Sequence, residues 1–133
     1  MPYRQLDHEA DLALEVWGAN QAALLTEAAL ALADFMGART ESGSASVDVA
    51  VAGLDLADAL VRWLQEVLYW ITVRGLRLAA AEAEPGPDFA VRGRLIGQWS
   101  QAGLAREIKA VTYHGLELVE SPGRQTARLV CDL

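Results

Sequence analysis

Between Asp55 and Gly75 the apolar residues Leu56, Leu60, Trp63, Leu64, Val67, Leu68 and Ile71 fall at steps of three and four. On a helix that spacing gathers them into one broad stripe. A stripe so wide must be covered by a second layer of structure. Asp55 suits the N-cap, with Asp58 three residues on; Arg74 complements the C-terminal dipole and Gly75 supplies the exit. A second helix is expected over Asn20 to Met36, where Leu24, Leu25, Ala28, Leu32, Phe35 and Met36 keep helical spacing between a capping Asn20 and a terminating Gly37.

The rest of the chain alternates with a period of two. Leu12, Leu14 and Val16 alternate with Asp11, Ala13, Glu15 and Trp17, and Val47, Val49 and Val51 with Asp48, Ala50 and Ala52. Strands near 76–84 and 88–97 flank Pro85-Gly86-Pro87, and strands over Val111 to Val119 and Thr126 to Leu133 flank Ser121-Pro122-Gly123, so both pairs read as hairpins. Val111 and Tyr113 hold odd positions but Leu116 and Leu118 even ones, a slip of phase that a bulge at His114-Gly115 explains. With the turn centred near Pro122, Asp132 falls opposite Thr112, within about two residues. No repeat or linker divides the chain, so residues 1–133 read as one domain. The class is α+β: a mostly antiparallel or mixed β-sheet with two main helices on one face.

Composition narrows the function classes. With 53% apolar and 22% charged residues the chain is that of an ordinary soluble domain. No apolar run approaches the ~18 residues of a membrane span, and the N-terminus lacks the apolar core of a signal peptide. One cysteine, Cys131, excludes an internal disulfide and fits the cytoplasm; its place between Val130 and Asp132 suits a buried hydrophobe. A net charge of −7, with eleven basic residues never adjacent, argues against direct high-affinity nucleic-acid binding and suits either a basic protein partner or plain acidic solubility. Phosphate-binding glycine loops, Cys-x-x-Cys, His-Glu-x-x-His and nucleophile-elbow patterns are all absent.

Three segments carry candidate chemistry. The run Asp7-His8-Glu9-Ala10-Asp11 is dense in ligand atoms, and alternation places Asp11 on the face away from Leu12 and Leu14. The run Thr126-Ala-Arg-Leu-Val-Cys-Asp-Leu133 ends on Asp132, on the face opposite Cys131, and on the α-carboxylate of Leu133. Adjacent hard oxygen donors of this kind suit Ca²⁺ or Mg²⁺ if both chain ends join one sheet. Turn and strand-edge roles for Asp7 and Asp11 remain the plainer alternative. The block Arg106-Glu-Ile-Lys-Ala-Val-Thr-Tyr-His114 offers cations, Arg106 and Lys109, of the sort that balance phosphate charge, or simply a solvated strand end.

Taken together, Asp7-His8-Glu9-Ala10-Asp11, Trp63-Leu-Gln-Glu-Val-Leu-Tyr69, the Arg106 to His114 block and the Asp132-Leu133 ending resemble the archease family over nearly the whole chain. The family usually has threonine in place of Glu9 and often isoleucine in place of Leu133. The resemblance implies a non-enzymatic activator of an RtcB-family RNA ligase in tRNA splicing or RNA repair, promoting GTP-dependent guanylylation and multiple turnover. It also implies a divalent-metal site, Ca²⁺ with Mg²⁺ or Mn²⁺ as alternatives, at Asp11, Asp132 and the terminal carboxylate of Leu133. Lys109, Arg106, Asp7 and His8 are then candidates for touching the partner or a phosphate. Two other classes stay open: a general chaperone or modulator of RNA-processing proteins, and a stand-alone metal-dependent hydrolase with His8 or His114 as acid or base. The sequence leaves the oligomeric state and the docking surface open.

Overall fold

The computed structural model describes residues 2–6 and 11–133. Both helices start on the caps the sequence offers. The Asn20 side chain accepts from the Ala23 N–H at 2.9 Å at the head of α1 (Gln21–Met36), and Gly37, at φ 70°, ends it in the left-handed conformation. Asp55 accepts from the Asp58 N–H at 2.8 Å at the head of α2 (Leu56–Thr72), and Gly75, at φ 81°, turns the chain away after it. No described helix is long and apolar enough to cross a membrane.

The described residues form seven strands, all but β1 on the period-two segments: β1 (Tyr3–Leu6), β2 (Leu12–Gly18), β3 (Ala45–Ala52), β4 (Leu76–Pro85), β5 (Ala90–Trp99), β6 (Ala110–Ser121) and β7 (Arg124–Asp132). They form two antiparallel sheets, ordered β1-β2-β7-β6 and β3-β5-β4. The expected class holds, with two refinements. The strands divide into two sheets, and each helix touches both: α1 packs on β2 and β4, α2 on β6 and β3. The reason lies in α1, where Leu24, Leu25, Ala28, Ala29, Ala31, Leu32, Ala33 and Met36 are all buried. A helix apolar on so much of its circumference needs cover on more than one side. The second refinement is β1, a four-residue strand with an exposed Arg4-Gln5 centre, too short to show a period.

The centre of the core is Trp63, fully buried, whose indole N–H donates to the Leu25 carbonyl at 2.9 Å and so ties α2 to α1. Its ring lies against Gly93, where a Cβ would come within 2.6 Å of the indole. Burial of large apolar side chains here supplies the main stabilisation, about 2–3 kcal/mol for each.

The β6–β7 hairpin departs from simple register. Ser121 pairs with Arg124 and Glu117 with Arg128, but Thr112 pairs with Val130 and Ala110 with Asp132. Five steps along β6 thus match two along β7, so β6 carries three extra residues between Thr112 and Glu117. The bulge falls where the phase slip placed it. Gly115 adopts φ 74°, and a Cβ there would lie 2.8 Å from Val130 Cγ2. Its size moves the partner of Asp132 from Thr112 to Ala110, because a phase slip reports only whether the insertion is odd.

Candidate functional site

β7 runs between β2 and β6, so its last residues have a neighbour on either side. Leu12 of β2 pairs with Cys131, which sets Asp11 and Asp132 at the same end of the two strands, one residue beyond. On the other flank Ala110 pairs with Asp132, and the Lys109 N–H donates to the Asp132 carbonyl at 2.8 Å. The sheet therefore brings Asp11, Asp132 and Lys109 to one edge. Asp11 is half-buried; Asp132, Lys109 and Leu133 are exposed.

Cys131 reports the field at this edge. Burial first, then the charges of Asp132 and Asp11, push its thiol up to about 12. Both carboxylates thus lie close enough to act on one sulfur. Cys131 itself is fully buried, a packing residue as its place in the strand suggested.

The donors that converge here are hard oxygens, which fits a cation such as Ca²⁺ or Mg²⁺ and disfavours a soft metal. Among the described residues no group of three or more His, Cys, Asp or Glu side chains could hold a metal ion. Among the described residues two side-chain carboxylates, Asp11 and Asp132, meet at this edge. Asp7 and His8 lie outside the described residues.

The remaining members of the Arg106 to His114 block divide their roles. The Arg106 guanidinium sits 5.0 Å from the Phe35 ring centroid, over the end of α1. Ile108 is buried. The Thr112 hydroxyl donates to the His114 carbonyl at 3.1 Å, with the Val130 carbonyl at 3.2 Å, and so pins the bulge. His114 is exposed.

One network escaped the sequence reading. The Tyr113 hydroxyl donates to Asp58 Oδ1, while Oδ2 accepts from the Leu54 N–H at 2.8 Å and from Arg62 Nε at 3.0 Å. The Tyr113 hydrogen bond, above all, holds the Asp58 carboxyl down at about 2, and in turn raises Tyr113. This contact fastens β6 to α2 close to the bulge. The Asp58–Arg62 pair has legible i, i+4 spacing; the Tyr113 link, 55 residues away, has no local signal.

Comparison with known proteins bears on the whole chain. The model of the Archease protein family matches residues 3–133. Protein archease of Archaeoglobus fulgidus is 33% identical over 137 residues, and that of Methanopyrus kandleri 30% over 148, each alignment covering 100% of both chains. The solution structure of protein 1598 of Methanobacterium thermoautotrophicum shares the fold at a TM-score of 0.78 and 22% identity, covering 99% of either chain. So does the crystal structure of an archease, possible chaperone, from Thermotoga maritima, at a TM-score of 0.67 and 22% identity, over 98% of this chain and 96% of that one. The chain belongs to the archease family.

Proposed function

We propose that this protein is an accessory activator of an RtcB-family RNA ligase, promoting guanylylation and multiple turnover without forming the RNA bond itself. The observation that supports this reading best is the edge where Asp11, Asp132 and Lys109 meet. Asp11, Asp132 and the main-chain carboxylate of Leu133 would hold a divalent cation, Ca²⁺ or else Mg²⁺ or Mn²⁺. Such a cation would balance negative charge on nucleotide phosphates. Lys109, exposed and anchored through its amide to Asp132, would present its ammonium to a phosphate or to an acidic group of the ligase. The net charge of −7 favours approach to a basic, RNA-handling enzyme.

The test is multiple-turnover ligation by a cognate RtcB-family enzyme with and without the native chain. Stimulation that disappears with Asp11→Ala or Asp132→Asn, and weakens with Lys109→Ala, is the expected result. Full stimulation by all three variants would sink the reading. A short extension after Leu133 separately tests its carboxylate: undiminished activity would remove Leu133 from the ligand set. A general chaperone is the second reading, favoured by the description of the Thermotoga maritima relative as a possible chaperone. It requires binding to unrelated RNA-processing proteins that survives loss of Asp11 and Asp132.

A further inference from the structure

Between the end of α2, the start of β4 and the loop after β5 lies a concavity of about 390 Å³ whose lining includes Arg74, Arg77, Ser100, Gly103 and Glu107. That volume is in the range of small-ligand sites. Arg77 is only 8% exposed. Its Nη1 donates to the Leu76 carbonyl at 3.3 Å and its Nη2 to the Ala102 carbonyl. Among the described residues no carboxylate forms an ion pair with it. A guanidinium has five N–H donors, and two carbonyl bonds leave both its charge and part of its donor fork available. A buried cation without a counter-charge is costly unless something anionic meets it.

The surroundings add to this. Arg74 places its guanidinium 5.3 Å from the Trp70 ring centroid, and Trp70 lies 6.3 Å from Trp99, which is 52% exposed. Ser100 Oγ accepts from the Ala102 N–H at 3.1 Å, which leaves its O–H to donate elsewhere. The loop is held at both ends, by Ser100 N–H to the Gly75 carbonyl at 2.9 Å and by Ala105 N–H to the Met36 carbonyl at 3.0 Å. A chain with net charge −7 has thus gathered two guanidiniums around one preformed hollow, with Trp99, which precedes the lining Ser100 in the chain, beside it. Among its described lining residues Glu107 is the one carboxylate.

We propose that this hollow binds a nucleotide, free or at the end of an RNA strand: Arg77 and Arg74 take the phosphate monoester, and the exposed face of Trp99 takes the ring. Guanidinium forks match phosphate oxygens in pairs, and indole faces accept any base. Ser100 donates to the remaining phosphate oxygen, and Glu107 accepts from ribose hydroxyls on the opposite wall. One mononucleotide at weak affinity is compatible with a chain too acidic to hold a long RNA. The inference concerns binding by the protein alone and stands whether or not a metal sits at Asp11 and Asp132.

The full chain, freed of metal with chelator, would be titrated with AMP, adenosine and inorganic phosphate, by calorimetry and tryptophan fluorescence. AMP is expected to saturate below about 1 mM and quench the emission, with adenosine and phosphate each weaker by about tenfold or more. Since Arg77 also clamps the loop, the exposed residues carry the test. Arg74→Ala, at unchanged melting temperature, and Trp99→Ala, with the chain still folded at the assay temperature, should each weaken AMP by about fivefold or more, and Trp99→Phe should keep binding while losing most of the quench. A 5′-phosphorylated RNA tetranucleotide that binds more tightly than AMP assigns the site to strand ends; AMP binding as tightly assigns it to free nucleotide. No saturation by either, equal binding of adenosine or phosphate alone, or indifference to Arg74→Ala and Trp99→Ala would each overturn the proposal.

Discussion

The proposed calcium site at the Asp11–Asp132 edge predicts an effect whose size can be worked out beforehand. Two side-chain carboxylates and one main-chain carboxylate fall short of the six to eight oxygens that Ca²⁺ prefers, which puts the dissociation constant near ~10⁻⁴–10⁻³ M. At about 10 mM free Ca²⁺, binding to the folded state alone then adds about 1.4–2.7 kcal/mol. An unfolding entropy of about 2.1 cal/mol/K per residue gives roughly 0.28 kcal/mol per degree for a chain of this length. The melting temperature should therefore rise by about 5–10 °C. The assay is a thermal melt across a calcium series, with KCl added to hold ionic strength constant, because surface charges alone respond to salt. Asp132→Asn should lose most of the rise. Asp132 is exposed, so its substitution opens no cavity, and without calcium the variant should melt no lower than the parent. A rise of the same size in Asp132→Asn and in Asp11→Asn would refute the site.

Three further outcomes follow from the geometry. Trp63→Phe, which removes the buried 2.9 Å bond to Leu25 and part of the ring over Gly93, should cost about 1–3 kcal/mol, read as a drop of roughly 4–11 °C in Tm; a drop under about 1 °C would show that the indole is not what joins the helices. Asp58 titrates at about 2 when folded, below its ordinary 3.8, so its stabilisation is present above pH 4 and is lost as pH falls toward 2. Tyr113 is raised above its ordinary 10.0, so its stabilisation is present below pH 10 and is lost above it. Tyr113→Phe should therefore flatten both limbs of a Tm–pH profile, and a profile parallel to the parent's would contradict the tether. Cys131, buried with its thiol at about 12, should resist an aromatic disulfide reagent at pH 8 until the chain unfolds. Rapid labelling of the native protein would show that the β7 end opens locally.

The sequence made some features plain and concealed others, for identifiable reasons. Caps at Asn20 and Asp55 and the stripe through Trp63 are local patterns, and the helices begin and end where those residues act. The bulge at Gly115 was legible because insertion of an odd number of residues swaps the buried face. Its extent was not, since one extra residue and three shift the phase alike. The division into two sheets follows from the alanine-rich sides of α1, which hydrophobic periodicity does not resolve into one face or two. In the candidate site, strand alternation placed Asp11 and Asp132 on their face, but their sharing of an edge needed the β2–β7 pairing, which joins residues more than a hundred positions apart. Arg77 was read simply as part of a strand. Its burial comes from a loop that returns over it 25 residues later.

The order β1-β2-β7-β6 has a consequence in time as well as in space. Of the two interior strands of that sheet, β7 is the last of all its strands to leave the ribosome, whereas β3, α2, β4 and β5 are contiguous in the chain and complete their own sheet earlier. Until β7 emerges, β2 and β6 have no strand between them and the paired edge does not exist. Closure must then bridge the length of the chain, a slow step for any fold. Asp11 meets Asp132 only at that final step, so a polypeptide interrupted shortly before its end would carry the helices and the smaller sheet but present no acidic edge to a partner.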